Sequence, residues 1–183
     1  MFLIGGWTLA ASRQPPGYDP VVGTISALAA RGAADRWVMT SALAALGLCH
    51  AVTALGLRPA APRGRFVLAA GGIATMLVAA FPQPDTGASA GHAVAAGVAF
   101  SALAVWPALS SRQAAHTPVG LRPAVALTAT AVLAGLAVYF TLQLHGGTRV
   151  GLAERVLAGA QALWPLFVTT STYRYRRSAT TLP

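Results

Sequence analysis

The sequence has little charge. Of its 183 residues 9% are charged, four are acidic, none is lysine, and 55% are hydrophobic. Soluble domains carry about 25% charged residues, so this chain has too few charges to cover a water-exposed surface of its size. The composition excludes a soluble enzyme and a nucleic-acid-binding module, and it indicates a polytopic membrane protein.

Cysteine and nucleotide-binding signatures are equally scarce. The single cysteine, Cys49, excludes an internal disulfide and a cysteine-based zinc site. The chain contains no Walker loop, no HExxH pair and no dinucleotide-binding fingerprint. We therefore predict no cofactor and no bound metal.

Long apolar stretches are abundant, and they define the architecture. A helix needs roughly 20 mostly apolar residues to cross a bilayer core of about 30 Å. Five stretches qualify or nearly qualify: 37–57, 66–82, 90–110, 123–144 and 150–171. With a shorter first helix they predict an all-α transmembrane bundle of six helices, forming a single transmembrane domain over residues 1–183.

The first apolar stretch, Met1 to Ser12, is too short to span a bilayer alone. No basic residue precedes Arg13, which argues against a signal peptide. A re-entrant or interfacial anchor and the outer half of a longer helix that starts upstream of Met1 both stay open. We interpret the stretch as a short helix packed against the bundle.

The longest connection, residues 13–36, is predicted to be a partly ordered extracytoplasmic loop, with a disordered loop as the alternative. Thr24 is a good N-cap for a short helix over residues 25–30 that Gly32 can end. Asp35 is placed to cap the next membrane helix. Residues 173–183 are predicted to be a flexible cytoplasmic tail.

The arginines predict the orientation, because cytoplasmic loops of membrane proteins are enriched in basic residues. With loops numbered alternately, eight arginines fall on one side and five on the other. We predict a multi-pass protein of the cell membrane with both termini in the cytoplasm. All four acidic residues then lie on the extracytoplasmic side: Asp19, Asp35, Asp85 and Glu154.

Glu154 and Arg155 lie about one turn inside the last helix, where ionisable groups are costly and face a bundle interior. Adjacent helical residues point about 100° apart, so we expect each to find a partner elsewhere: Asp85 or Asp19 for Arg155, and Arg36 or His92 for Glu154. Two interpretations of Glu154 and Arg155 stay open: a buried polar site and an interhelical ion pair.

The remaining polar candidates are His92, Asp85 and His50. A carboxylate near an imidazole can orient it as a general base, which makes Asp85, His92 and Glu154 the candidate catalytic residues. A headgroup-level polar role for His92 and a structural hydrogen bond for His50 are the alternatives. The candidate substrate-binding residues are Asp19, Arg36, His50 and Arg155.

Several motifs together carry a resemblance that covers nearly the whole chain. They are Gly17-Tyr18-Asp19-Pro20, Thr24 to Ala30, Arg36-Trp37, His50 with Thr53 to Arg58, Ala104 to Pro107, and Gly151 to Arg155 with Leu163-Trp164-Pro165. With these motifs the chain resembles the bacterial membrane-protein family catalogued as domain of unknown function 998. The resemblance implies a multi-helix integral membrane protein, no established activity, and a fuller first membrane helix than residues 1–12 provide.

Two functions fit these patterns. The first is a non-catalytic membrane protein that binds a lipid, a small amphiphile or a protein partner at the outer leaflet. The second is an intramembrane enzyme acting on a lipid-like substrate from the extracytoplasmic side. In the second case Glu154 or Asp85 is the general acid or base, His92 a base or ligand, and Arg155 or Arg36 an anion clamp.

Overall fold

The computed structural model describes residues 2–84, 87–114 and 117–180, and over these residues the fold is all-α. The described residues form seven α-helices and one short 3₁₀ turn at Val119–Leu121. The helices are α1 (Phe2–Ser12), α2 (Ile25–Leu28), α3 (Trp37–Gly56), α4 (Pro62–Ala80), α5 (Ala90–Ser110), α6 (Pro123–Leu144) and α7 (Val150–Thr180). The predicted helical membrane bundle is confirmed, with α2 as a short helix inside the first loop.

Among the residues that the structure describes, four helices, α3 to α6, are long and apolar enough to cross a membrane. Helix α1 is apolar but has only 11 residues. Helix α7 is not among the four, since Glu154, Arg155 and Gln161 lower the hydropathy of its first half. It continues to Thr180, beyond the position at which the sequence predicts the tail to begin.

Local sequence explains where the helices begin. Pro62 and Pro123 open α4 and α6 at the first helical position, where the missing N–H costs nothing. The Ser89 hydroxyl caps α5 by accepting a hydrogen bond from the backbone N–H of His92 at 3.2 Å. Each start therefore follows from a residue with the right backbone chemistry.

The first loop shows one correct and two wrong cap predictions. The Thr24 hydroxyl accepts from the Ala27 N–H at 3.0 Å, which confirms it as the cap of α2. The helix ends at Leu28 with Ala29 as its C-cap, so Gly32 does not terminate it. Asp35 does not cap α3, because it adopts a positive φ of 48° and its carboxylate pairs instead with Arg13 at 2.9 Å.

Glycines allow a close contact between the antiparallel helices α3 and α4. A Cβ on Gly47 would lie 2.5 Å from the Gly72 carbonyl oxygen, and a Cβ on Gly72 would lie 2.6 Å from the Gly47 carbonyl oxygen. Small residues let membrane helices approach in this way. Helix α5 packs on α4, and α6 packs between α5 and α7. Helix α6 is the least buried of the four apolar helices.

Hydrogen bonds between loops define two ends of the bundle. At one end the Arg31 N–H donates to the Gln83 carbonyl at 3.0 Å. We name this the acidic end, because the loop with Asp19 and Asp35 and the first turns of α7 with Glu154 lie there. At the other end, the arginine-rich end, the Ala61 N–H donates to the Ser110 carbonyl at 3.0 Å.

Candidate functional site

Arg155 fastens the first loop to α7. One guanidinium nitrogen donates to the carbonyls of Pro20 at 2.7 Å and Gly23 at 2.6 Å. The other donates to the Tyr18 hydroxyl at 2.8 Å. Carbonyl oxygens gathered on one guanidinium form strong, charge-assisted bonds. The side chain therefore holds a stretch of loop more than 130 positions away along the chain.

Glu154, one position earlier, holds the next part of the same loop. Its carboxylate accepts from the backbone N–H of Ile25 at 2.5 Å and from the Ser26 hydroxyl at 2.9 Å. These groups form the first turn of α2, where unpaired N–H groups favour an anion. Glu154 is 3% exposed. The two neighbouring charged residues thus bind successive segments of one loop.

These partners differ from the predicted ones. Arg155 binds carbonyl and hydroxyl oxygens, not the carboxylate of Asp19. Glu154 binds a backbone N–H and a hydroxyl rather than Arg36 or His92. The loop reaches α7 and satisfies both side chains with polar groups that a pattern of charges does not reveal.

A cavity of about 400 Å³ lies beside Glu154, between α5, α6 and α7. Ala93, Gly97 and Phe100 of α5 and Phe140 of α6 form apolar walls. Six polar residues line it near the loops, namely Thr24, Ser26, Gln83, Ser89, His92 and Glu154, while Ser101 and Thr141 line it from α5 and α6. We call this space the loop-side cavity. Apolar walls with a few polar groups at one end suit a small amphiphilic ligand.

His92 is a second buried polar group of this cavity and is 5% exposed. Its Nδ1 lies 2.9 Å from the carbonyl oxygen of Phe81. A carbonyl oxygen only accepts, so Nδ1 carries the hydrogen and a neutral ring keeps its lone pair on Nε2. Asp85, the predicted partner of His92, lies outside the described residues.

A second, smaller cavity of about 50 Å³ lies among α3, α4, α5 and α7, and we call it the inner chamber. Glu154 and Ser26 line it as well as the loop-side cavity. His50, Thr75 and Gln161 are its other polar lining residues. The structure therefore brings together Glu154 and His92 at one cavity and Glu154 and His50 at the other.

Asp19 and Arg36 lie at neither cavity. The Asp19 carboxylate accepts from the Val21 N–H at 2.8 Å within a turn of the loop. The Arg36 guanidinium stacks 4.0 Å from the centre of the Trp37 ring. Within the described residues no group of three or more His, Cys, Asp or Glu side chains could hold a metal ion.

Sequence reasoning missed three contributors to these sites. Gln161 lies seven residues after Glu154, two turns along the same face of α7, and that spacing was the available signal. Ser26 carries no such signal, since its contact depends on how the loop folds. Ser89 is the serine of a Gly-x-Ser-x-Gly pattern at residues 87–91. It follows a loop and caps α5, whereas in hydrolases the serine of this pattern lies at a turn between a strand and a helix.

Comparison with known families gives a match over most of the chain. The model of the family described as protein of unknown function (DUF998) matches residues 1–171. No curated protein and no solved structure matches the chain. The match therefore shows the family but supplies no activity.

Proposed function

The chain belongs to the DUF998 family of proteins of unknown function, and from this premise we propose that it binds a lipid or another small amphiphile in the loop-side cavity. The lining of the cavity carries the proposal, because apolar walls end at the polar groups of Glu154 and His92. The volume of about 400 Å³ is within the roughly 300–1,000 Å³ of small-molecule sites in proteins. The apolar walls take an acyl chain or a similar group. The polar groups near Glu154 and His92 take the headgroup.

The walls of the cavity favour entry from the side. Helix α6 is the least buried of the four apolar helices, with 22% of its most apolar window buried. Gly97 of α5 lines the cavity, and a Cβ added to it meets no atom within 4 Å. An open wall of small residues beside a lipid-facing helix gives an acyl chain room to enter from the bilayer.

We further propose that the protein spans the cell membrane of a bacterium with both termini in the cytoplasm. The arginine-rich end then faces the cytoplasm, in line with the bias of basic residues toward that side. The acidic end and the loop-side cavity lie at the outer leaflet. A ligand enters from the outer leaflet in this arrangement.

A cavity-filling substitution tests the binding proposal. Gly97→Leu places a large side chain in the open space and is expected to reduce co-purified ligand about tenfold, equivalent to about 1.4 kcal/mol of binding free energy. Mass spectrometry of amphiphiles extracted from the purified protein, normalised to protein amount, measures the loss.

Gly135→Leu on α6 is the matched control. A Cβ there also meets nothing within 4 Å, and Gly135 does not line the loop-side cavity. Equal ligand content in wild type, Gly97→Leu and Gly135→Leu would contradict the proposal, as would an absence of any enriched amphiphile in the wild type.

An enzyme is the second candidate, because Glu154, His92 and Ser89 line one cavity. The first two would act as general acid and base on a lipid-like substrate. Against this, both Glu154 oxygens already hold the loop.

Lipid analysis of a deletion strain separates the two candidates. If the protein is an enzyme, deletion changes a lipid species, wild-type protein restores it and Glu154→Gln does not. The binding proposal predicts no converted species. Ser89→Gly keeps an acceptable helix cap while removing the hydroxyl, so it tests the serine separately.

A further inference from the structure

The inner chamber contains buried polar atoms without partners. His50 is 3% exposed and Gln161 is 1% exposed. Within the part of the chain that the structure describes, three of their side-chain atoms have no hydrogen-bond partner: both ring nitrogens of His50 and the Oε1 of Gln161. The Gln161 amide nitrogen donates to the Phe100 carbonyl at 2.9 Å, which fixes the orientation of the amide.

Such atoms rarely stay unpaired, because a buried polar group without a partner costs free energy. The chamber measures about 50 Å³, and a water molecule needs roughly 10–15 Å³ of such volume, so about four water molecules fit. Each water also needs two to four polar partners. The two His50 nitrogens, Gln161 Oε1, Thr75 and Glu154 provide them.

We propose that the inner chamber binds a chain of ordered water molecules that joins His50 to Glu154. Gln161 lines the chamber together with both residues, about 10 Å along α7 from Glu154 and on the same helical face. The Thr75 hydroxyl donates to the Gly71 carbonyl at 2.8 Å and keeps lone pairs that accept from a water. The water chain connects His50 and Glu154 in one hydrogen-bonded network.

The network gives a proton a path between the two titratable side chains. A proton that leaves a His50 imidazolium binds the first water, each water passes one proton on, and the last water protonates the Glu154 carboxylate. The imidazolium and the carboxylate become a neutral imidazole and a neutral carboxyl, so the charge balances. His50 and Glu154 are the titratable residues that line the chamber within the described part of the chain, and Arg155 faces the loop instead.

A density map of the purified full chain in lipid nanodiscs tests the water chain directly. At a resolution that shows water, peaks are expected within hydrogen-bond distance of both His50 nitrogens and Gln161 Oε1. A chamber without density would overturn the proposal.

Infrared difference spectroscopy after a pH step tests the coupling. Loss of a band in Glu154→Gln assigns the Glu154 carboxyl, and loss in His50→Phe assigns the imidazole. In the wild type we expect both bands to change together in the step, and Gln161→Leu is expected to abolish the joint change.

His145→Phe is the matched control, since this histidine is exposed and bonds the Thr141 carbonyl outside the chamber. It should leave the joint change intact. Independent changes of the two bands in the wild type, or an unaltered joint change in Gln161→Leu, would contradict the water chain. Because Gln161→Leu keeps both titratable groups, loss of the joint change in this variant cannot result from removal of either band.

Discussion

Arg155 and Glu154, which are neighbours in α7, bind successive segments of the first loop. Arg155 gathers the carbonyls of Pro20 and Gly23, and Glu154 accepts from the first turn of α2. Hydrogen bonds to charged groups contribute about 1.5–3 kcal/mol each. The loop that covers the loop-side cavity is therefore held mainly by α7.

Arg155→Met tests this role, because methionine keeps the apolar stem and removes the donors. The amides of residues 18–23 are expected to exchange with deuterium about tenfold faster or more, since the loop loses charge-assisted bonds. Hydrogen-exchange mass spectrometry of the purified protein measures the rate.

Arg149→Met serves as the control, since Arg149 is exposed at the same end of the bundle. It should leave the exchange of residues 18–23 unchanged. Equal exchange rates in both variants would show that the loop does not depend on Arg155.

At the residue scale the sequence predicted the unusual positions but not their contacts. Glu154 stands out because a carboxylate one turn inside an apolar helix is costly. Its partners, Ile25 and Ser26, lie 129 and 128 positions away. Contacts at that separation depend on the path of the whole loop, and no local pattern encodes them.

At the scale of helices the sequence predicted most boundaries. The ranges 90–110 and 123–144 agree with α5 and α6, because Ser89, Pro123 and the flanking polar segments mark their ends. Helix α4 begins earlier than predicted, at Pro62, since the arginines that interrupt its apolar pattern lie within its first turn. Arg65 there donates to the Ala54 carbonyl at 2.7 Å and so satisfies the end of α3.

The contact of α3 with α4 gives a prediction at this scale. Gly72→Ala places a Cβ 2.6 Å from the Gly47 carbonyl oxygen, so the helices must separate. We expect a loss of about 1–3 kcal/mol of stability, as for overpacked cores. Thermal unfolding in one detergent measures the change in Tm.

Gly135→Ala is the control, since a Cβ there meets nothing within 4 Å. Alanine is the better helix former, so this variant is expected to be neutral or slightly stabilised. An unchanged Tm in Gly72→Ala would show that α3 and α4 do not need the close approach.

For the whole molecule, the separation of charges carries the proposed topology. The arginine-rich end holds the turns of Arg58, Arg63 and Arg65, while Asp19, Asp35 and Glu154 lie at the acidic end. A fluorescent reporter fused after Pro183 is expected to fold and fluoresce in the cytoplasm. An Asp19→Cys variant in a Cys49→Ser background is expected to react with an impermeant maleimide from outside intact cells.

A reporter that does not fluoresce, together with an Asp19→Cys variant that reacts only after lysis, would show that the protein has the opposite orientation in the membrane. The loop-side cavity would then face the inner leaflet, while its volume and its lining would stay the same. The topology and the binding proposal are thus tested separately.

A density map of the full chain in native lipids shows whether an amphiphile binds between α5, α6 and α7. We expect elongated density in the loop-side cavity, with its polar end near Glu154 and His92 and its apolar part beside Gly97. A map in which α6 closes on α5 and α7, or in which the cavity is free of density, would show that no amphiphile binds there.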